Sequence, residues 1–363
     1  MIKINLPSNF YRDQRISNIF HEIAKKIYYT YRAELREVWF VYYGMRDYFS
    51  SPDKIQRFLM AKDFYAYKFE NKSGFMCDLL NLRPNVKIAN VLINASTSNK
   101  VKNFCRKYDK TTYKEEYLNL EAYDQLTIAQ FKQIGTHPTL VQNKLLQDIF
   151  SYQQLSSGDR HELLIRMDVP VCPYCNMNYT INFEDKEQQR STADIDHFYL
   201  KSKYPEYALC LYNFIPACSV CNQKIKGITD ITRDTYAYPY QDSFEGQSQF
   251  RVTNLVEYLT QPETDVQIEL VSEHICKRIS NSIIGFKLNE RYKSFSYYAT
   301  DLIEKALIYN EAYANSLIKS FDGFVRDTDI KKLIFGTKLS EEEYGRLSLG
   351  KLKQDLLTQL GVY

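Results

Sequence analysis

CPYCNMNYTINFEDKEQQRSTADIDHFYLKSKYPEYALCLYNFIPACSVCNQKIKG, residues 172–227, is the stretch on which the reading of this chain turns. It opens and closes on a C-x-x-C pair, Cys172/Cys175 and Cys218/Cys221. Each pair presents two thiols from one tight turn, and two such turns supply the four soft ligands of a tetrahedral zinc ion. A site of that kind is structural, because all four positions are filled by protein and none is left for substrate. The expected clasp would pin the start of a strand region to the start of the helix that follows Cys221. The remaining four of the eight cysteines, Cys77, Cys105, Cys210 and Cys276, are scattered and are expected as small buried hydrophobes.

The first pair, with Pro173 and Tyr174 between its cysteines, also spells a redox tetrapeptide. A redox pair should open a helix directly after a strand. Here the downstream residues Asn178-Tyr179-Thr180-Ile181-Asn182-Phe183 alternate and are rich in β-formers, and a second C-x-x-C follows, so metal binding is the better reading. The charged stretch 184–190 reads as a loop or turn, residues 193–196 as a second extended piece, and 222–225 as the opening of a helix that Gly227 ends.

Between the two clasps lies Asp196-His197. Imidazole is the side chain whose ordinary pKa lets it take a proton from water near neutrality, and a carboxylate beside it can hold a hard cation such as Mg2+ through oxygen. Asn213 follows, and Asn222 comes directly after Cys221. Lys201, Lys203, Lys224 and Lys226 surround the motif with Glu206 as the one opposing charge, which makes a local cationic rim suited to backbone phosphate or else a solvated lysine surface. The other histidines, His21, His137, His161 and His274, carry no such company and read as ordinary.

Asp196-His197-Phe198, Asn213 with Pro216, and Cys218-Ser219-Val220-Cys221-Asn222-Gln223-Lys224 together resemble the zinc-stapled HNH, or ββα-metal, endonucleases. The resemblance covers residues 172–227. It implies a ββα fold around one catalytic divalent cation, Mg2+ or Mn2+. His197 would then be the general base, Asp196 and Asn222 the cation ligands, and Asn213 the residue that holds the loop carrying His197. Where the family pattern has a final His, this chain has Asn222, which touches metal preference but not the class. The wording around Lys201-Ser202-Lys203-Tyr204-Pro205-Glu206 is similar to HNH effectors of bacterial anti-phage systems of the Septu and retron type. That likeness implies an ABC-type ATPase as a separate partner, since this chain has no phosphate-binding P-loop motif. The substrate implied is nucleic acid, DNA foremost. The competing reading is a non-catalytic zinc module that binds nucleic acid or protein.

Outside this stretch the chain reads as mainly helical, so the fold expected is α+β: a predominantly helical protein with a small embedded ββα-metal unit. Three regions are expected: a helical one over 1–165, the nuclease unit over 166–230, and a helical one over 231–363. In the first, Ser17 is read as the cap of a helix with Ile19, Ile23, Ile27 and Tyr31 on one face, and Val141, Leu145, Ile149 and Tyr152 repeat the spacing. A short helix over 161–166 follows a break at Ser157-Gly158-Asp159. In the last region strands are expected at 250–252 and 266–270, then one long helix over 288–321. Its heptad-like stripe of Leu288, Tyr292, Phe295, Ala299, Leu302, Ala306, Tyr309 and Tyr313 suits its own core or a second copy of the chain. Ser340 and Glu343 form a capping box before a terminal helix with Leu347, Leu352, Leu356 and Leu360.

Composition sets wide limits. The net charge of +3 neither demands nor excludes nucleic acid, so any basic surface must be local. The longest apolar run, 38–43, is far short of the roughly 20 residues that cross a bilayer. The first nine residues lack the pattern of a secretion signal, so a cytoplasmic protein is expected.

Overall fold

The computed structural model describes residues 2–31, 49–66, 147–185, 188–261, 263–272, 276–309, 311–320 and 327–363. The helix positions Val141 and Leu145, His137 and His274, Cys77 and Cys105 lie outside these residues. The fold is α+β, with helices and three two-stranded antiparallel or paired sheets. The chain divides into two compact units that are not consecutive in sequence. One holds 1–7, 164–196 and 215–363, and the other 8–163 and 197–214. Each draws on more than one of the three regions expected from the sequence.

The unit that contains residues 8–163 begins with a helix over Gln14–Thr30. Its cap is Asp13 rather than Ser17, because the Asp13 carboxylate accepts from the Arg15 and Ile16 amides and starts the helix a turn earlier. The Ser17 hydroxyl and carbonyl instead accept from Gln56 Nε2, on a helix over Pro52–Leu59. Ile16, Phe20, Ile23, Ala24 and Ile27 form the buried face. The helix over Ser157–Met167 also starts earlier than its sequence suggests. Ser156 Oγ accepts from the Asp159 amide while the Asp159 carboxylate accepts from the Ser156 amide, so the residues read as a break form its first turn, capped by Ser156.

In the other unit the charged stretch after Phe183 is a hairpin rather than a loop. Strand β1, Asn182–Asp185, pairs antiparallel with β2, Gln188–Ser191. Strand β3 runs Ala193–His197 and pairs with β4, Phe214–Cys218, buried at all of its positions. After β4 comes a π-helix, Val220–Lys226, that ends where the Gly227 amide donates to the Asn222 carbonyl with Gly227 at positive φ. The expectation of an α-helix here gives way to the wider i→i+5 winding, which is found mostly at special sites.

Strands β5, Ser248–Val252, and β6, Ile268–Ser272, pair antiparallel with Phe250 opposite Leu270. Their inward residues Phe250, Val252, Ile268 and Leu270 are buried at alternate positions. The edge of β5 is satisfied by the terminal helix Gly350–Gln359. The Phe250 amide donates to Asp355, the Val252 amide donates to Gln359, and Gln359 donates back to the Val252 carbonyl. The capping box of Ser340 and Glu343 forms, but on a short helix of its own, Glu341–Tyr344.

The single long helix expected over 288–321 is a series of shorter pieces. Helix Leu288–Tyr292 passes through a 3-10 turn, Lys293–Phe295, into Ser296–Ile308. Extended backbone at Tyr309 then separates that helix from Glu311–Ser320. The stripe therefore has no continuous seam for a coiled coil. Leu288, Tyr292, Ala299 and Leu302 are buried within their own unit, whereas Tyr313 is exposed.

Candidate metal centre and active site

The first clasp is a tight turn closed on both sides. The Cys172 amide donates to the Asn178 carbonyl, the Asn176 amide donates to the Cys172 carbonyl, and Val171 bridges Tyr179. Asn176 sits at φ 54°, a left-handed conformation that Asn tolerates better than most residues. Its buried side chain ties the clasp to the C-terminal segment. Nδ2 donates to the Tyr344 and Leu347 carbonyls, and Oδ1 accepts from the Lys351 amide. Nothing in the sequence marks this residue, because its partners lie some 170 positions away.

Cys218 ends β4 and Cys221 stands in the first turn of the π-helix, so the second clasp straddles a strand-to-helix corner. The four buried sulfurs of Cys172, Cys175, Cys218 and Cys221 lie within 4.8 Å of one another, which is metal-binding distance. Cys175 and Cys218 are 4.0 Å apart, close to what two ligands about 2.3 Å from one tetrahedral ion would show. Donors point at the sulfurs: the Met177 amide at Cys175, Asn178 Nδ2 at Cys218 and Arg291 Nη1 at Cys221. Burial pushes the Cys172 thiol well up. Hydrogen bonds led by that from Cys172 bring Cys175 down to about 7 and hold Cys218 far below the usual thiol range. Cys221, against a lowering hydrogen bond with Cys172, is raised by Cys175 and Cys218; four sulfurs within metal-binding distance are a donor set that fits a soft ion. The isolated Cys210 is buried and Cys276 is half-buried.

Asp196 is buried next to this cluster. Tyr174, inside the first clasp, donates from its hydroxyl to Oδ2 at 2.6 Å, and Lys226 donates from Nζ to Oδ1 at 2.7 Å. The Lys226 and Asp196 side chains are 1% and 4% exposed, so this is a buried ion pair. Burial first, and the carboxylate next, raise the Tyr174 hydroxyl well above its ordinary pKa and keep it a donor. Lys226 therefore does not belong to a solvent-facing rim, because its charge is neutralised inside. Asn222 Nδ2 and Gln223 Nε2 donate to Asp194 Oδ2 at 3.1 and 2.8 Å. Asp194 went unremarked in the sequence, although two-residue spacing puts it on the same strand face as Asp196. Both Asp196 oxygens accept from protein donors, and Asn222 turns its Nδ2 to Asp194. Lys224 is exposed on the π-helix, and Glu206 is fully buried.

His197 and Asn213 belong to the unit of residues 8–163 and 197–214. His197 is 7% exposed and its Nε2 lies 2.9 Å from the Ala208 carbonyl. A carbonyl only accepts, so Nε2 carries a proton. Tyr152 and Phe214 meet the imidazole edge-on at centroid distances of 4.8 and 5.3 Å. Asn213, fully buried, closes the loop between. Oδ1 accepts from the Tyr199 amide, and Nδ2 donates to the Tyr199 and Tyr207 carbonyls. Lys201 is exposed with Nζ 5.0 Å from the Tyr152 ring, and Lys203 lies beside Tyr204.

Among the described residues no helix is long and apolar enough to cross a membrane. Comparison of the chain with known proteins finds no matching family model, no matching curated protein and no matching solved structure.

Proposed function

We propose that the chain is an HNH-type endonuclease that hydrolyses phosphodiester bonds of nucleic acid, DNA foremost, with zinc in the four-cysteine cluster. The observation that carries this reading is the fixing of His197. Its Nε2 proton is committed to the Ala208 carbonyl, and its loop is held by three hydrogen bonds to Asn213. A buried imidazole with a defined tautomer is what a general base requires. Nδ1 takes a proton from water as the water oxygen bonds to phosphorus. The bond from phosphorus to the 3′ oxygen breaks, and that oxygen takes a proton from solvent. A 5′-phosphate and a 3′-hydroxyl result. Mg2+ or Mn2+ belongs to the proposal as Lewis acid for the phosphate, but Asp196 and Asn222 meet other partners, so only the proton transfer is assigned to residues. A place in anti-phage defence beside an ABC-type ATPase rests on the sequence likeness alone.

The second reading, a non-catalytic zinc module that binds nucleic acid or protein, is favoured by one observation: both Asp196 oxygens serve the interior. Incubation of the full chain with plasmid, single-stranded DNA and RNA in Mg2+ and in Mn2+ separates the two. His197→Ala should lower cleavage about 10²–10⁴-fold while zinc content stays that of the wild type and the variant, though less stable, still melts cooperatively. Cleavage by that variant at the wild-type rate would refute the base assignment. Absence of cleavage by the wild-type chain on every substrate would favour the module.

A further inference from the structure

We propose that Arg160 and Lys201, seated on the ring of Tyr152, form a clamp for one backbone phosphate of nucleic acid beside His197. The proposal rests on the functional reading above for its choice of ligand. It draws on residues that the sequence leaves far apart and that all belong to one unit.

Tyr152 opens a short 3-10 turn, Tyr152–Gln154, and its ring meets the imidazole of His197 edge-on at 4.8 Å. The Arg160 guanidinium carbon and the Lys201 Nζ each lie 5.0 Å from the centroid of that same ring. The two cations are thus no more than twice that distance apart. Neither forms an ion pair among the described residues, although acidic side chains are near in sequence. Asp159 is engaged with Ser156, and Glu162 with Arg15. Two like charges gathered on one ring repel each other, and the ring quadrupole offsets only about 0.5–1 kcal/mol for each at exposed sites. An anion that reaches both charges removes the conflict.

Arg160 is also aimed. Its Nε donates to the Leu155 and Ser156 carbonyls at 3.1 and 3.3 Å, so one edge of the guanidinium is fixed by backbone. The outer pair of Nη groups is left for a two-oxygen partner, the geometry in which arginine holds phosphate. Lys201 adds a point charge from the loop that carries His197. The imidazole beside the clamp would then face the phosphorus of the same strand. Phosphate contacts position a strand without reading its sequence, so the clamp predicts little sequence preference.

The test uses the full-length chain carrying His197→Ala, so that binding is read without cleavage, and labelled duplex DNA, single-stranded DNA and RNA of one mixed sequence. Dissociation constants are measured by anisotropy across a salt series. Arg160→Gln and Lys201→Gln should each weaken binding about tenfold, equally for unrelated sequences. Each should also shrink the slope of log K against log salt by about 0.9 on duplex or 0.7 on single strands. Arg160→Lys should restore the slope but not the full affinity, which a purely structural role for Arg160 would not produce. Placed instead in the active chain, Arg160→Gln and Lys201→Gln should raise KM more than they lower kcat. Unchanged slopes in properly melting variants overturn the clamp, and so does a chain that binds none of the three probes. Cleavage by the otherwise wild-type chain decides the nuclease reading separately. Cleavage with unchanged slopes leaves the nuclease without the clamp, and altered slopes without cleavage leave the clamp as a binding surface.

Discussion

Asp196 and His197 are neighbours in β3, yet their surroundings differ in kind. Successive side chains of a strand point to opposite faces. On one face, Asp196 meets a buried lysine and a buried tyrosine, beside a set of thiols held by their own donors. Those charges are cancelled internally. His197 is fixed just as firmly, through the Ala208 carbonyl and the Asn213 loop, but the ring beside it gathers two cations that form no ion pair among the described residues. The Asp196 carboxylate has protein donors on both oxygens, whereas Arg160 and Lys201 meet no carboxylate among the described residues. Burial and a full set of hydrogen bonds therefore do not by themselves locate chemistry; an uncancelled charge beside an oriented base is the better sign.

The largest test of this contrast removes the clasp on which the Asp196 environment depends. Tyr174 stands between Cys172 and Cys175, so the hydroxyl that holds Asp196 is positioned by the sulfur cluster. Structural zinc contributes about 10–16 kcal/mol of apparent binding energy in small zinc-finger peptides, as much as the whole stability of a typical domain. Cys218→Ser, or a strong chelator, should abolish metal and the cooperative melt together. Elemental analysis and circular dichroism would read both. A variant free of zinc that melts like the wild type would show that the thiols pack as ordinary core residues.

Much of this was legible in sequence where chemistry and spacing coincide. The two C-x-x-C pairs predict a four-sulfur cluster because each fixes two ligands within one turn, and the strands expected at 250–252 and 266–270 correspond to the paired β5 and β6. The capping box at Ser340 was equally plain, since both of its partners are local. What escaped depends on partners distant in sequence. Lys226 looks like any surface lysine until β3 places Asp196 against it. Asp13 outcompetes Ser17 for the helix cap because Gln56 occupies the serine. The heptad spacing over 288–313 suits one helix, but Lys293–Phe295 tightens to 3-10 and Tyr309 turns extended, so periodicity alone overstated its continuity. Arg160 and Tyr152 gain meaning only from their approach to His197.

A smaller effect should come from the ion pair itself. Removing one partner of a buried pair leaves an uncompensated charge, at a cost of about 3–5 kcal/mol. Lys226→Met should lower the urea-unfolding free energy by that much, and Asp196→Asn in the same chain should return most of it. This recovery is the expected sign of coupling in a double-mutant cycle. Zinc content should stay unchanged in both. If the two substitutions simply add, the Asp196 environment is not the closed network described, and the contrast with His197 weakens.

The smallest effect, and the sharpest for the His197 side, concerns Asn213. Its carboxamide satisfies one amide and two carbonyls at once, a demand that no other side chain of its size meets, because it needs an acceptor and a donor on one planar group. Asn213→Ala should cost about 2–3 kcal/mol, as buried backbone groups lose their partners. Asn213→Asp should not rescue it: the carboxylate still accepts from the Tyr199 amide but sets oxygen against the Tyr199 and Tyr207 carbonyls. If His197 is a base held by this loop, both variants should lose cleavage at urea concentrations where they remain folded, with kcat falling more than KM rises. Equal cleavage by folded Asn213→Ala would mean that the imidazole is oriented by the Ala208 carbonyl alone, and that the loop closure serves stability rather than the base.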